Sequence, residues 1–207
     1  MDSAKERPAP RRFGLREAVI LLLLAVVAAL AWRLDARAAE VAALEGKLAP
    51  EVPYPFEIEG EIEASAAEVF ALLDFADPRN AMKARGAMIV PVEGNGQRFV
   101  MNLPQAPDLD FHIDVIEAEA PNHYAYAITV DPLVGRMAAS TESYTVTDNP
   151  GGGCRVHLVN AVTFQQGLRE KDLPEEFGRV TVALYRTLGK LKLQAEQGVE
   201  AVLALDE

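Results

Sequence analysis

Hydrophobic and polar positions along the chain follow three different patterns. Residues 18–32 read A-V-I-L-L-L-L-A-V-V-A-A-L-A-W, fifteen uncharged residues in which the Trp32 indole is the sole hydrogen-bonding side chain. From residue 56 to 164, apolar and polar residues alternate in short stretches separated by turn residues, the period of half-buried strands. From 177 to 195 apolar residues recur every three or four positions, the period of an amphipathic helix.

The alternating part opens with F-E-I-E-G-E-I-E-A (56–64), in which apolar or small residues alternate with four glutamates. This predicts a strand with one solvated Glu face. Ser65-Ala66-Ala67-Glu68 has capping-box spacing, and Val69, Phe70, Leu72 and Leu73 give the following helix an apolar side. Asp77-Pro78 breaks that helix, and a second short helical piece runs to about Arg85. Strands follow at 87–92, 98–103, 109–117, 124–130, 141–147 and 155–164. Gly94-Asn95-Gly96, Pro121-Asn122 and the Gly-rich segment 148–153 supply turns between them. That makes about seven strands. Asp172-Leu173-Pro174-Glu175 opens the last helix, with Asp172 as the expected N-cap, and Phe177, Val180, Leu184, Leu188 and Leu191 form its stripe.

The N-terminal run predicts a membrane segment. Fifteen helical residues span about 22 Å, against about 30 Å of bilayer hydrocarbon. Phe13, Gly14 and Leu15 lengthen the run if Arg16 and Arg33 snorkel to the headgroups. Ala29-Leu30-Ala31 and Ala36-Arg37-Ala38 offer the rival reading of a cleaved signal, but R-L-D-A-R-A-A-E-V-A-A-L-E continues as helix, which suits a retained anchor. Lys and Arg are denser before the run than after it, which places the N-terminus in the cytoplasm and the rest on the extracytoplasmic side, periplasmic in a bacterium. Leu34, Val41 and Leu48 are seven apart and suggest a spacer with a weak capacity to form a homodimer. The expected divisions are a basic cytoplasmic tail (1–17), a single-pass transmembrane signal anchor (18–33), a helical stalk with a Pro-rich linker (34–53), and a globular domain (54–203).

Charge narrows the partners. Residues 1–33 hold six Lys/Arg and three Asp/Glu, whereas residues 50–207 hold 12 against 25. A domain that acidic repels phosphate backbones, which excludes nucleic acid as the main partner. The single cysteine, Cys154, cannot form a disulfide within the chain and reads as a packed strand residue. Asp110, His112 and Asp114 share one strand face, but it is the face opposite Phe111 and Ile113, so they are expected in solvent rather than around a metal. No Ser-His-Asp order, zinc spacing, phosphate loop or dinucleotide fingerprint occurs, so neither a metal nor a cofactor is expected.

The element order is strand, two short helices, an antiparallel run of strands and a long C-terminal helix. With F-E-I-E-G-E-I-E-A-S-A-A-E-V-F-A-L-L-D (56–74), V-I-E-A-E-A-P-N-H-Y-A-Y (115–126) and Y-T-V-T-D-N-P-G-G-G-C-R-V (144–156), residues 54–200 resemble the START / polyketide-cyclase superfamily, also called birch-pollen-allergen-like. The resemblance implies an α+β helix-grip fold. In that fold a curved antiparallel sheet wraps around the long C-terminal helix and leaves a cavity between them. Catalytic residues are not shared across the superfamily, so the resemblance assigns none.

Strand parity then selects the inward side chains. Phe99, Met101, Phe111, Ile113, Tyr124 and Tyr126 are expected to face the cavity, as are Ile128, Tyr144, Val146, Val156, Leu158 and Val162. Phe177, Val180, Leu184 and Leu188 would form the facing wall. The same parity turns Glu142 and Asn160 inward, and Glu142 is the one candidate for an acid or base. The expected function is binding of a hydrophobic small molecule or lipid by a membrane-anchored domain, the membrane being met through residues 18–32. The alternatives are a cyclase/dehydratase-type enzyme using pocket Glu and Tyr residues, and an interaction module whose cavity is filled by its own side chains.

Overall fold

The computed structural model describes residues 15–92 and 96–205. The expected basic tail before residue 15 and the centre of the Gly94-Asn95-Gly96 turn lie outside the described residues. The chain forms two compact units, residues 1–47 and 48–207.

The first unit is a helix, α1 (Leu15–Gly46), which runs without a break through the apolar run and the stalk. Gly46 ends it. Leu48 therefore leaves the expected heptad seam, and it bridges to Arg169 within the second unit. Among the described residues no helix is long and apolar enough to cross a membrane. The transmembrane helix expected at 18–33 is therefore without support among the described residues. The uncharged run is fifteen residues long, and Arg33, Asp35 and Arg37 follow it directly. The described large apolar side chains of this run are exposed, from Val26 at 48% to Trp32 at 73%.

The second unit is α+β. Its seven strands are β1 (Tyr54–Ile62), β2 (Met88–Pro91), β3 (Arg98–Leu103), β4 (Ala106–Glu119), β5 (His123–Asp131), β6 (Met137–Asp148) and β7 (Cys154–Phe164). They form one sheet in the order β1-β7-β6-β5-β4-β3-β2, and every neighbouring pair is antiparallel. Two short helices, α2 (Ala66–Leu73) and α3 (Ala81–Ala84), follow β1, and the long helix α4 (Leu173–Gln197) packs on the sheet. A short α5 (Val199–Leu203) closes the chain.

Local chemistry explains the boundaries. Ser65 caps α2 by accepting the Glu68 amide while Glu68 accepts the Ser65 amide, the reciprocal box read from the sequence. These bonds hold the Glu68 carboxyl below its ordinary range, the Ser65 backbone contributing most. Asp172 behaves differently from its expected role. Its side chain caps nothing and instead faces Arg169 (3.5 Å) and Arg136 (3.8 Å). Pro174, which lacks an N–H to satisfy, occupies the first turn of α4.

α4 lies over the β1 edge of the sheet. Leu184, Leu188 and Leu191 are buried there in one core with Ile62, Tyr124 and Leu158. Gly60 permits the close crossing, because a Cβ at that position would stand 3.1 Å from Leu188 Cδ2. A second cluster gathers Val162, Phe164 and Leu168 with Tyr54, Phe56 and Phe177. At the other end of β1, Gly153 adopts φ +72°, and a Cβ there would meet the Ile62 carbonyl at 2.5 Å.

Candidate functional site

The site begins with strand parity. Tyr126 of β5 lies opposite Glu142 of β6, and Glu142 lies opposite Asn160 of β7, so the three share one row on the inner face. A neighbouring row contains Ile113, Ile128, Ser140 and Val162. Because α4 covers the β1 side, the inner face of β3, β4 and β5 is left open.

The result is a groove of about 890 Å³ between that face and α4. Met101, Leu103, Phe111, Tyr126, Ile128 and Glu142 form its sheet wall. The helix wall is Arg179, Val182, Ala183, Arg186, Thr187 and Lys190. Phe75, Met82 and Arg85 close it on the side of α2 and α3, and Gln105 and Glu175 also line it. An adjoining cavity of about 400 Å³ shares Met82, Arg85, Leu103, Gln105 and Lys190 with it. A small recess of about 70 Å³ shares Phe75, Met82, Arg85, Tyr126 and Thr187, and extends toward Tyr144 and Leu191.

Of the residues that parity turns inward, Met101, Phe111, Tyr126 and Ile128 line the groove, and Tyr144 lines the recess. Phe99, Ile113 and Tyr124 are buried in the core without lining it. Val146, Val156 and Leu158 are fully buried in that same core. Val162 and Phe177 belong to the second apolar cluster. Val180 packs against both clusters and lines a separate surface depression beside Arg136. Leu184 and Leu188 are packed between α4 and the sheet. The apolar stripe of α4 therefore seals the core, and the flank beside it faces the groove.

The groove-lining residues that periodicity does not flag come from two places. Arg179, Val182, Ala183, Arg186 and Lys190 recur along one flank of α4, a helical repeat of mixed polarity that reads as an ordinary solvent face. Phe75, Met82 and Arg85 come from the irregular segment after α2. Asn80 and Lys83 hold that segment. Asn80 Oδ1 accepts the amides of Met82 (3.0 Å) and Lys83 (3.3 Å), while its Nδ2 donates to the carbonyls of Leu72 (3.2 Å) and Leu73 (3.1 Å). Lys83 Nζ donates to the Phe75 carbonyl at 2.7 Å and the Asp77 carbonyl at 3.2 Å. A buried Asn between two helices was the available sequence signal, since it sits where an N-cap is needed.

The polar chemistry of the wall is concentrated at Glu142. The phenols of Tyr126 and Tyr144 both donate to Glu142 Oε2 at 2.6 Å, and the two rings stack with centroids 6.2 Å apart. Burial first, and then the Glu142 charge, pushes both phenols well above the ordinary tyrosine value. They are neutral donors at neutral pH. The Tyr124 hydroxyl accepts the Phe75 amide (3.1 Å) and donates to Asp74 Oδ1 (3.4 Å), and burial raises its pKa. Asn160 Oδ1 accepts from Ser140 Oγ at 2.6 Å, so its polarity is spent inside the sheet.

The remaining candidates lie elsewhere. His112 is exposed, Asp114 pairs with Arg98 at 2.6 Å, and Asp110 accepts from Asn102. Cys154 is buried, which raises its thiol pKa. Among the described residues no group of three His, Cys, Asp or Glu side chains is placed to hold a metal ion.

No family model and no curated protein matches the chain. Solved structures do. The chain is similar to Ara h 8.0201, with TM-score 0.55 and 15% identity over 73% of this chain and 99% of the other. It is also similar to DynU16, a protein of the dynemicin biosynthetic locus, with TM-score 0.51 and 14% identity; the match covers 70% of this chain and 48% of that one. A START superfamily protein from Mycobacterium smegmatis aligns with TM-score 0.50 and 13% identity over 69% of this chain and 97% of its own. Likeness at these identities concerns the fold. The second unit thus adopts the fold of these structures, a seven-stranded antiparallel sheet gripping a long C-terminal helix.

Proposed function

We propose that this domain binds a hydrophobic small molecule or lipid in the groove between α4 and the inner face of β3–β5. The supporting observation is the groove itself: about 890 Å³ that no side chain of the described residues occupies, walled by Met101, Leu103, Phe111, Ile128 and Val182. A groove of that size speaks against the interaction-module alternative, whose cavity its own side chains would fill. The test is native mass spectrometry of the full chain after incubation with a membrane lipid extract. Wild type retains bound molecules, and Ile128→Trp, which fills the groove from its sheet wall, retains none at unchanged Tm. Equal retention by both proteins would contradict the groove as the site.

The exposed apolar run of α1 supports a companion reading, attachment of the chain to a bilayer by partial insertion of residues 18–32. Full-length protein that is released from membranes by alkaline carbonate would refute it.

A second activity is favoured by one specific observation, the two phenols that converge on Glu142 in the groove wall. A carboxylate fixed in this way beside an apolar substrate is placed to move a proton, as a cyclase or dehydratase requires. Loss of turnover in Glu142→Gln with the fold intact supports this reading, and unchanged turnover removes Glu142 from it.

A further inference from the structure

The groove has one property that hydrophobic binding does not require. Four of its lining residues are cationic: Arg85, Arg179, Arg186 and Lys190. Residues 50–207 contain only 12 Lys/Arg against 25 Asp/Glu, so a third of the domain's positive charge faces this groove. Among the described residues two acidic side chains line it, Glu142 and Glu175. Both are already engaged, Glu142 by the two phenols and Glu175 by Arg179 at 2.6 Å. In a chain of net charge -11 a local excess of cations is costly to an apolar ligand and favourable to an anionic one.

Three of these cations, Arg85, Arg186 and Lys190, lie toward one end, away from the Arg179–Glu175 pair. Arg85 and Lys190, with Gln105, line both the main groove and the adjoining cavity, so they stand where the two meet. The Arg85 guanidinium is oriented there by its bonds to the Ala81 carbonyl (3.1 Å) and to Met82 Sδ (2.7 Å). Arg186 lies one turn before Lys190 on the same flank of α4. On the opposite wall Phe111 and Ile128 are apolar, beside the Glu142 carboxylate that the Tyr126 and Tyr144 phenols occupy. The groove thus has a greasy length and a basic end.

Taking hydrophobic binding in the groove as its basis, the geometry points to a narrower ligand class: an acidic amphiphile, with an apolar body on Phe111, Ile128 and Val182 and a single carboxylate, sulfonate or phosphate group against Arg85, Arg186 and Lys190. Guanidinium and ammonium groups donate charge-assisted hydrogen bonds to such a group, roughly twice as strong as neutral ones. This preference selects against neutral apolar molecules of the same shape.

Two fluorescent probes with one body separate the cases: 1-anilinonaphthalene-8-sulfonate and its neutral counterpart N-phenyl-1-naphthylamine. Both are titrated into the full chain in phosphatidylcholine nanodiscs, with empty nanodiscs subtracted. The double variant Arg186→Gln/Lys190→Gln, changed at residues on the helix surface, is expected to bind the sulfonate about tenfold more weakly and the neutral amine unchanged. Ile128→Trp is expected to lose both. Equal affinity changes for the two probes, or no change for either, would overturn the acidic-amphiphile assignment while leaving the groove as a binding site. Failure of the wild type to bind either probe, or of Ile128→Trp to weaken either, would instead overturn the groove reading on which it rests.

Discussion

The two sides of α4 are built on opposite terms. Toward β1, Leu184, Leu188 and Leu191 are buried, and Gly60 gives up a side chain so that Leu188 can close in. Toward β3–β5, Val182 is 51% exposed and the neighbouring positions are Arg179, Arg186 and Lys190. One side earns stability by excluding water. The other keeps an apolar sheet wall uncovered. A helix that packs along one edge of a sheet, rather than over its centre, produces both results together.

The largest expected effect breaks the closed side. Leu188→Ala removes a buried side chain over Gly60 and should cost about 2–5 kcal/mol, measured by urea unfolding. Val182→Ala on the open side should change stability by no more than about 0.5 kcal/mol. Equal losses at the two positions would erase the contrast.

Next comes the segment that frames the groove. Asn80 is 1% exposed and its side chain makes four hydrogen bonds, so Asn80→Ala leaves two carbonyls and two amides short of partners. A loss of about 2–3 kcal/mol is expected, together with weakened probe binding as Phe75, Met82 and Arg85 lose their positions. Retained binding at full affinity would show that this segment does not shape the site.

A smaller effect is expected from pH. The phenols of Tyr124, Tyr126 and Tyr144 are raised above their ordinary value of 10.0, chiefly by burial. A raised folded-state pKa contributes stability that is complete below pH 10 and is lost as pH rises beyond it, because the unfolded phenols ionise first. The urea midpoint should therefore fall between pH 9 and pH 11. Tyr126→Phe should flatten that fall, and an identical pH dependence in the variant would exclude Tyr126 from it. Smallest is the α2 cap: Ser65→Ala should cost about 1 kcal/mol by thermal unfolding.

Much of the fold was legible from local rules. The Glu alternation of β1, the Ser65–Glu68 box and the β3 boundaries each reflect one short-range requirement, and the structure meets each. Parity likewise turned Tyr126 and Glu142 inward, since side-chain alternation along a strand survives any change in sheet curvature, and the register then sets them opposite each other. The helix wall of the groove was not legible. Hydrophobic periodicity identifies the face that packs, here Leu184 and Leu188, whereas the groove takes the neighbouring flank, where Arg186 and Lys190 read as solvated charge. Phe75 and Met82 were hidden for another reason: they follow α2 in an irregular stretch whose path depends on Asn80 and Lys83 reaching back to earlier carbonyls. The run at 18–32 shows the limit of composition, because its apolarity is plain while the described residues supply no helix long and apolar enough to span a membrane.

The central claim, that an apolar molecule occupies the open side of α4, is tested most directly by the methionine methyl groups. Met82 and Met101 line the groove, whereas Met88 lies on β2 with 60% exposure. In ¹³C-methyl methionine spectra of the full chain titrated with N-phenyl-1-naphthylamine, the Met82 and Met101 signals should shift together and saturably while Met88 stays fixed. Shifts confined to Met88, or none at Met82 and Met101 under conditions where the probe binds, would contradict it.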